Sequence, residues 1–181
     1  MMWRTILGLA AGVALLAGGV SAQSLRPYGI SGDELYNLLK TEGVTLAIWP
    51  QRSLVMFDSD DAGEGQAIGL SSGGFVQRGG HPCQYSLLWD RPISSVSFNR
   101  SRLKADREGV SQPEWTATAF DDIGHPLGSV GEKAIRGRRD VRAHHFELKA
   151  AGIKQLVFWA DNRGAGDLCN AMIDTIEPGA G

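Results

Sequence analysis

The sequence predicts an all-β domain of two antiparallel sheets packed face to face, preceded by one short N-terminal helix. Three observations lead there. Most of the chain falls into short apolar runs separated by Gly, Pro, Asp and Asn clusters, the punctuation of β-structure. Cys83, Tyr85, Leu87 and Trp89 alternate with Gln84, Ser86 and Asp90, so a strand there has one apolar and one mostly polar face. The one clear helical pattern is too short to cover a sheet, which leaves the apolar strand faces to cover one another.

The first element is not part of that domain. Residues 6–20 form an apolar run of 15 residues, preceded by Arg4 and closed by Val20-Ser21-Ala22. The run is shorter than the roughly 18 to 20 residues that cross a bilayer, and small residues occupy the −3 and −1 positions of a cut before Gln23. Residues 1–22 therefore read as a cleaved secretory signal, with a secreted or periplasmic destination and no membrane span in the mature chain. Removing 22 of the 181 residues leaves 159, one domain's worth, at 23–181. Arg4 leaves with the signal, so 18 basic residues become 17 against 20 acidic ones, a formal charge of −3. Such a balance excludes nucleic acid as an electrostatic partner.

Ser31 with Glu34 makes a capping box, Leu35, Leu38 and Leu39 form a stripe at helical spacing, and Gly43 can end the turn; a helix is expected near 32–41. Strands are expected at 44–49, 54–57, 83–89, 95–98, 115–120, 144–148, 155–159 and 171–176, from runs rich in β-branched and aromatic residues. Phe120-Asp121-Asp122-Ile123-Gly124 reads as a turn leading to a short extension at 127–130, hence a hairpin. The stretches 59–74 and 100–113 lack a strong period and read as long loops, where binding residues usually sit.

Cys83 and Cys169 are the only cysteines, and in an oxidising compartment the economical reading is one disulfide between them. Closing a loop that long stabilises by ~4 to 5 kcal/mol in the chain-entropy model, comparable to a domain's net stability.

Four groups of residues are candidates for function. Asp58, Asp60 and Asp61 form the densest acidic cluster and, with Asp174 near the last strand, could supply oxygens to calcium, the candidate cofactor. The spacing is not that of an EF-hand, because Ala62 and Gly69 stand where its fifth and twelfth residues would be ligands. Among Trp49, Trp89, Trp115 and Trp159, Trp115 is the choice for stacking on a sugar, since it opens its strand after the polar loop 109–114 and so is expected at a sandwich edge. Asn162 and Arg163, in the loop before the last strand, can hydrogen-bond hydroxyls or a carboxylate. Arg136, Arg138, Arg139 and Arg142 make a basic segment, read as a solvated face. His144 and His145 are adjacent in a strand and point to opposite faces, so they cannot chelate one ion together. No Gly-x-Ser-x-Gly, His-Glu-x-x-His or phosphate-binding Gly-rich motif is present in the sequence.

The order of several short motifs adds a resemblance. Glu42-Gly43-Val44-Thr45-Leu46, Val55-Met56-Phe57-Asp58-Ser59 and Leu88-Trp89-Asp90-Arg91-Pro92-Ile93-Ser94-Ser95-Val96-Ser97-Phe98 lead to Ala117-Thr118-Ala119-Phe120-Asp121-Asp122-Ile123-Gly124. Gly152-Ile153-Lys154-Gln155-Leu156-Val157-Phe158 and Ile173-Asp174 follow. Together they resemble exported bacterial jelly-roll domains akin to galactose-binding-like modules. The resemblance implies a jelly-roll-like β-sandwich, often associated with cell-surface or matrix proteins, and no particular activity. Many such proteins end in a sorting helix, whereas this sequence ends at Glu177-Pro178-Gly179-Ala180-Gly181, which points to a soluble periplasmic or released protein.

The expected function is a secreted, non-catalytic β-sandwich that binds a carbohydrate or another cell-envelope ligand, with calcium as a candidate cofactor. The alternative is a structural or protein-interaction domain of the envelope without a small-molecule site; a hydrolase ranks third. The disulfide is open to direct test: peptide mapping of the exported protein without reduction should recover the Cys83 and Cys169 peptides joined, and two free thiols would refute the pairing.

Overall fold

A computed structural model describes residues 39–41, 43–49, 54–59, 65–70, 83–104, 110–138, 140–160, 171 and 173–179 of the chain. The expected signal at 1–22, the first part of the expected helix, and Asp60, Asp61, Arg139, Asn162, Arg163 and Cys169 lie outside the described residues.

Residues 39–41 are helical, and the amide of Gly43 donates to the Lys40 carbonyl at 3.1 Å, closing the helix where the sequence places its end. Antiparallel strands follow: β1 (Val44–Trp49), β2 (Leu54–Ser59), β3 (Gly65–Leu70), β4 (Cys83–Arg100), β5 (Leu103–Lys104) and β6 (Val110–Gln112). The second half contains β7 (Trp115–Phe120), β8 (Pro126–Glu132), β9 (Ile135–Arg138), β10 (Asp140–Val141), β11 (His144–Ala160) and β12 (Ile173–Pro178). The protein is all-β with one short helix, a β-sandwich of the jelly-roll kind.

Two strands span both layers. The first half of β4 pairs with β1 and with the second half of β11, which in turn pairs with β7 and, through it, β8. The second half of β4 pairs with the first half of β11 and with β12, beyond which lie β3 and β2. Layer one is thus β1-β4-β11-β7-β8 and layer two β2-β3-β12-β4-β11. Between them the β4–β11 register shifts from Lys149 to Gln155, a bulge in which Gly152 takes φ +85°, a conformation glycine adopts without steric penalty. Across the corner the inward residues of β4 change phase, from Tyr85, Leu87 and Trp89 to Val96, Phe98 and Arg100.

The aromatic core shows that the layers face each other. Phe98 and Phe146 of layer two meet Phe158 and Trp115 of layer one: Phe98 lies 5.1 Å edge-on from Phe158, and Trp115 lies 5.1 Å edge-on from Phe146. Such edge-on pairs match the positive rim of one ring to the negative face of the other. β12 joins this core through a kink at Thr175, whose φ of 49° is rare for a β-branched residue. The kink lets Ile173 and Ile176, three positions apart, both be buried, and it coincides with a register shift against β4.

One charged tie closes the end of the core. Arg100 faces inward from layer two and is only 3% exposed. Its Nε donates to Glu132 Oε2 at 2.9 Å and its Nη2 to Glu132 Oε1 at 3.3 Å, a two-pronged bond to β8 of layer one. Arg100 Nη1 donates to the Ser101 carbonyl at 2.7 Å, and His144 Nδ1 lies 2.8 Å from Glu132 Oε1. Burial alone would raise the Glu132 carboxyl; hydrogen bonds and charge from Arg100 and His144 outweigh it and hold the group below its ordinary value.

The expected strands at 44–49 and 115–120 are observed with those limits. The pairs 83–89 with 95–98 and 144–148 with 155–159 are each one long strand, because the corner keeps its backbone pairing through Ile93 and Ile153. The β7–β8 hairpin is present, with Asp121 Oδ1 accepting from the amides of Ile123 and His125 and Gly124 at φ +85°. Strands β3, β5 and β6 occupy stretches read as loops; backbone pairing to β2, β10 and β9 makes them strands despite weak apolar periods.

Two measurements test this packing. Trp115→Ala should lower unfolding stability by ~3 to 5 kcal/mol in denaturant titration, the range for deleting a large buried ring, and a loss below ~1 kcal/mol would contradict its place between the layers. For Glu132, a depressed folded-state pKa gives stability that is fully present above the unfolded value of about 4.3 and is lost as pH falls through the folded value. Glu132→Gln should cost about 3 kcal/mol near neutrality by leaving Arg100 buried without its anion, and the gap to wild type should narrow as pH falls below ~4. Parallel stability curves for the two proteins across that range would exclude this linkage.

Candidate functional site

The outward face of layer one follows from the strand registers, because residues directly opposite in an antiparallel ladder share a face. One row across the sheet is Trp49, Gln84, Trp159, Thr116 and Gly131. The next is Ala47, Ser86, Val157, Thr118 and Ser129. The third is Thr45, Leu88, Gln155 and Phe120.

Trp159 stands out in this field. It is 39% exposed, while its neighbours along the strand, Phe158 and Ala160, are fully buried on the other side. Alternation in β11 therefore sends Leu156, Phe158 and Ala160 to the core and Gln155, Val157 and Trp159 outward. An amide residue, Gln84, and a hydroxyl residue, Thr116, flank the indole on the two adjacent strands. In the next row the Thr118 and Ser129 hydroxyls lie 2.9 Å apart and share a hydrogen bond. A flat ring beside amides and hydroxyls can stack on the apolar face of a sugar while the polar groups bond its hydroxyls.

The support beneath is rigid. Phe158 stacks on Tyr85 with centroids 4.6 Å apart and planes 10° from parallel. Burial pushes the Tyr85 hydroxyl well above its ordinary value, so the phenol stays neutral throughout the physiological range. Charged groups stand at the margins of the face. Asp121 and Asp122 lie in the β7–β8 turn, Lys133 Nζ bonds Glu114 Oε1 at 2.6 Å at the opposite end, and Lys154 Nζ donates to the Asp90 carbonyl at 2.6 Å beside the corner.

The residues singled out in the sequence are not gathered here. Trp115 is 1% exposed and enclosed by Phe98, Phe146 and Phe158, which corrects its expected position at a sandwich edge: its phase in β7 is that of the buried Ala117 and Ala119. Asn162 and Arg163 lie outside the described residues, as do Asp60 and Asp61. Asp58 is in β2 at the register position opposite Gln66. Asp174 is 3% exposed; its Oδ2 accepts from Ser101 Oγ at 2.5 Å, and among the described residues its Oδ1 has no hydrogen-bond partner. Among the described residues no three His, Cys, Asp or Glu side chains come together as a metal group. Cys83 begins β4, and its expected partner Cys169 is outside the described residues. His144 and His145 diverge as expected, one to Glu132 and the other, through Nδ1, to Asn99 Oδ1 at 3.0 Å. Arg136, Arg138 and Arg142 are exposed. What sequence reading missed is the phase of Trp159: Leu156, Val157, Phe158 and Trp159 are all apolar, so the run alone does not say which of its two faces is outward.

No family model matches the chain, and no curated protein matches it. Among solved structures, it is similar to arabinose-bound MgGH51 α-L-arabinofuranosidase, with a TM-score of 0.52 and 14% identity over 90% of this chain and 27% of that one. It is also similar to the K1 cleaved adhesin domain of Lys-gingipain from Porphyromonas gingivalis, with a TM-score of 0.49 and 14% identity over 88% of this chain and 97% of that one. A third is a point mutant of the family 29 carbohydrate-binding module CBM29-2, with a TM-score of 0.43 and 11% identity over 90% and 94% of the two chains. Likeness at these identities is a likeness of fold. Among the described residues no helix is long and apolar enough to cross a membrane.

Proposed function

We propose that this protein is a secreted, non-catalytic β-sandwich that binds carbohydrate on the outward face of layer one. The observation that carries the reading is Trp159, 39% exposed on a sheet face between Gln84 and Thr116. A large ring held outward on a strand leaves apolar area in water, and the surrounding amides and hydroxyls give that area a ligand with hydroxyls of its own. Similarity of fold to part of an arabinose-bound glycosidase agrees with a sandwich that can carry such a face. Export rests on the apolar run at residues 6–20 and the small residues before Gln23.

The alternative, a protein-interaction domain, calls for a contiguous apolar patch. Every row here is broken by hydroxyl or amide residues, with Gln84, Thr116, Ser86, Thr118, Ser129, Thr45 and Gln155 standing among Trp159, Val157, Leu88, Ala47 and Phe120. That composition favours the sugar.

The test is Trp159→Ala, screened beside wild type on an immobilised glycan panel. Wild type should be retained by at least one glycan, and the variant's affinity should fall about 30-fold, the loss typical of an aromatic hot spot of ~2 kcal/mol. Its unfolding stability should stay within ~0.5 kcal/mol of wild type, because the ring leaves a surface rather than a core. Undiminished retention of the variant, or no retention of wild type by any glycan, would reject the proposal.

A further inference from the structure

The same face has a second property that narrows its ligand. None of the residues in its three rows carries a charge, from Gln84 and Trp159 at one end to Gln155 and Phe120 at the other. Besides Trp49 at the β1 border of the first row, the face carries Trp159 and Phe120, which are well separated. Trp159 is opposite Thr116, and Phe120 lies four positions further along β7. With ~3.3 Å per residue along a strand and ~4.8 Å between strands, the two positions are about 14 Å apart, further than one hexose ring can span.

We infer that the ligand is an uncharged, linear glycan several sugars long, lying obliquely across β11 and β7 from Trp159 to Phe120. The inference rests on the carbohydrate reading and deepens it. An acidic sugar placed on these rows would lose hydration without meeting a cation in them: the lysines at the margins are engaged, Lys133 by Glu114 and Lys154 by the Asp90 carbonyl, and the carboxylates of Asp121 and Asp122 at the Phe120 end would repel it. A neutral chain meets neither obstacle. Its hydroxyls find Thr116, Thr118 and Gln155 between the rings and Gln84 and Ser129 on the flanking strands, so each added sugar up to the span of the face adds contacts.

The experiment is calorimetric titration of the full mature protein with cellohexaose, mannohexaose, xylohexaose and arabinohexaose, their monosaccharides, and hexamers of galacturonate and mannuronate, at low and high salt. At least one neutral hexasaccharide should bind, at least about tenfold more tightly than its monosaccharide. The affinity should be insensitive to salt, since no ion pair is screened. Trp159→Ala should weaken that binding, and so should Phe120→Leu, which keeps apolar bulk while removing the flat ring. Trp159-dependent, salt-sensitive binding of an acidic hexamer would overturn the inference and leave the carbohydrate reading standing. So would a monosaccharide that binds as tightly as its hexamer, or a Phe120→Leu variant of unchanged affinity and stability. Binding of no sugar in the series would overturn both.

Discussion

β4 and β11 are each long enough to belong to both layers, so the ladder between them has to turn a corner, and the placement of every other strand follows from where it turns. From Lys149 to His144 the ladder keeps a single register against Ser95 to Arg100, and β10 with β5 continues that register through Val141 and Leu103. The turn is concentrated between Lys149 and Gln155, where β11 carries extra residues on one side of the Ile93–Ile153 pair, β4 carries them on the other, and the left-handed Gly152 lets the strand bend. Bending reverses which phase of β4 faces inward. One strand therefore supplies apolar side chains to both inner faces, and the flanking strands assemble on whichever half of the ladder offers them an open edge.

Arg100 and Glu132 fix the other degree of freedom, the distance between the layers at one end. A guanidinium with 3% exposure is tenable only with its anion in place, and the anion is on the opposite layer. The ion pair is weak evidence for net stability, since desolvating both groups offsets much of their attraction. Its effect is on geometry: a two-pronged bond holds β8 at one separation and angle relative to β4. That constraint reaches the outward face of layer one, because β8 forms its border and positions Ser129 beside Thr118.

The β-rich character, the short helix ended by Gly43, the β7–β8 hairpin and two strand boundaries were legible in the sequence, because they depend on local rules of turn chemistry and alternation. Strand fusion at the corner was not, since Asp90, Arg91 and Pro92 read as a break, whereas in the fold the strand runs on through them between the distant pairings of Leu88 and Ile93 with β11. β3 was hidden for the same reason: Gly65 and Gly69 weaken its apolar period, and its partner β2 supplies the structure. At the site, the residue class was legible and the residue was not. Trp115 follows a polar loop, which suggested an edge, yet its phase in β7 is that of Ala117 and Ala119. Trp159 lies inside an apolar run, which suggested the core, and two apolar phases in β11 left its direction to be decided by the partner strands.

The shared ladder also sets when the chain can fold. Its partners are separated by 36 positions at Lys104 and Asp140 and by 77 at Cys83 and Ala160. Beyond the β2–β3 and β7–β8 pairs, the sandwich does not close on local contacts, because layer one needs β1 at one end of the sequence and the second half of β11 near the other. Topologies dominated by such distant pairings fold slowly, since the entropy of ordering the intervening chain is lost before the contacts that offset it form. An emerging polypeptide of this kind stays extended until nearly all of it has been made. If the apolar run at residues 6–20 directs export, as proposed, that delay is an advantage: a chain that has not yet closed its core can thread a narrow translocation pore.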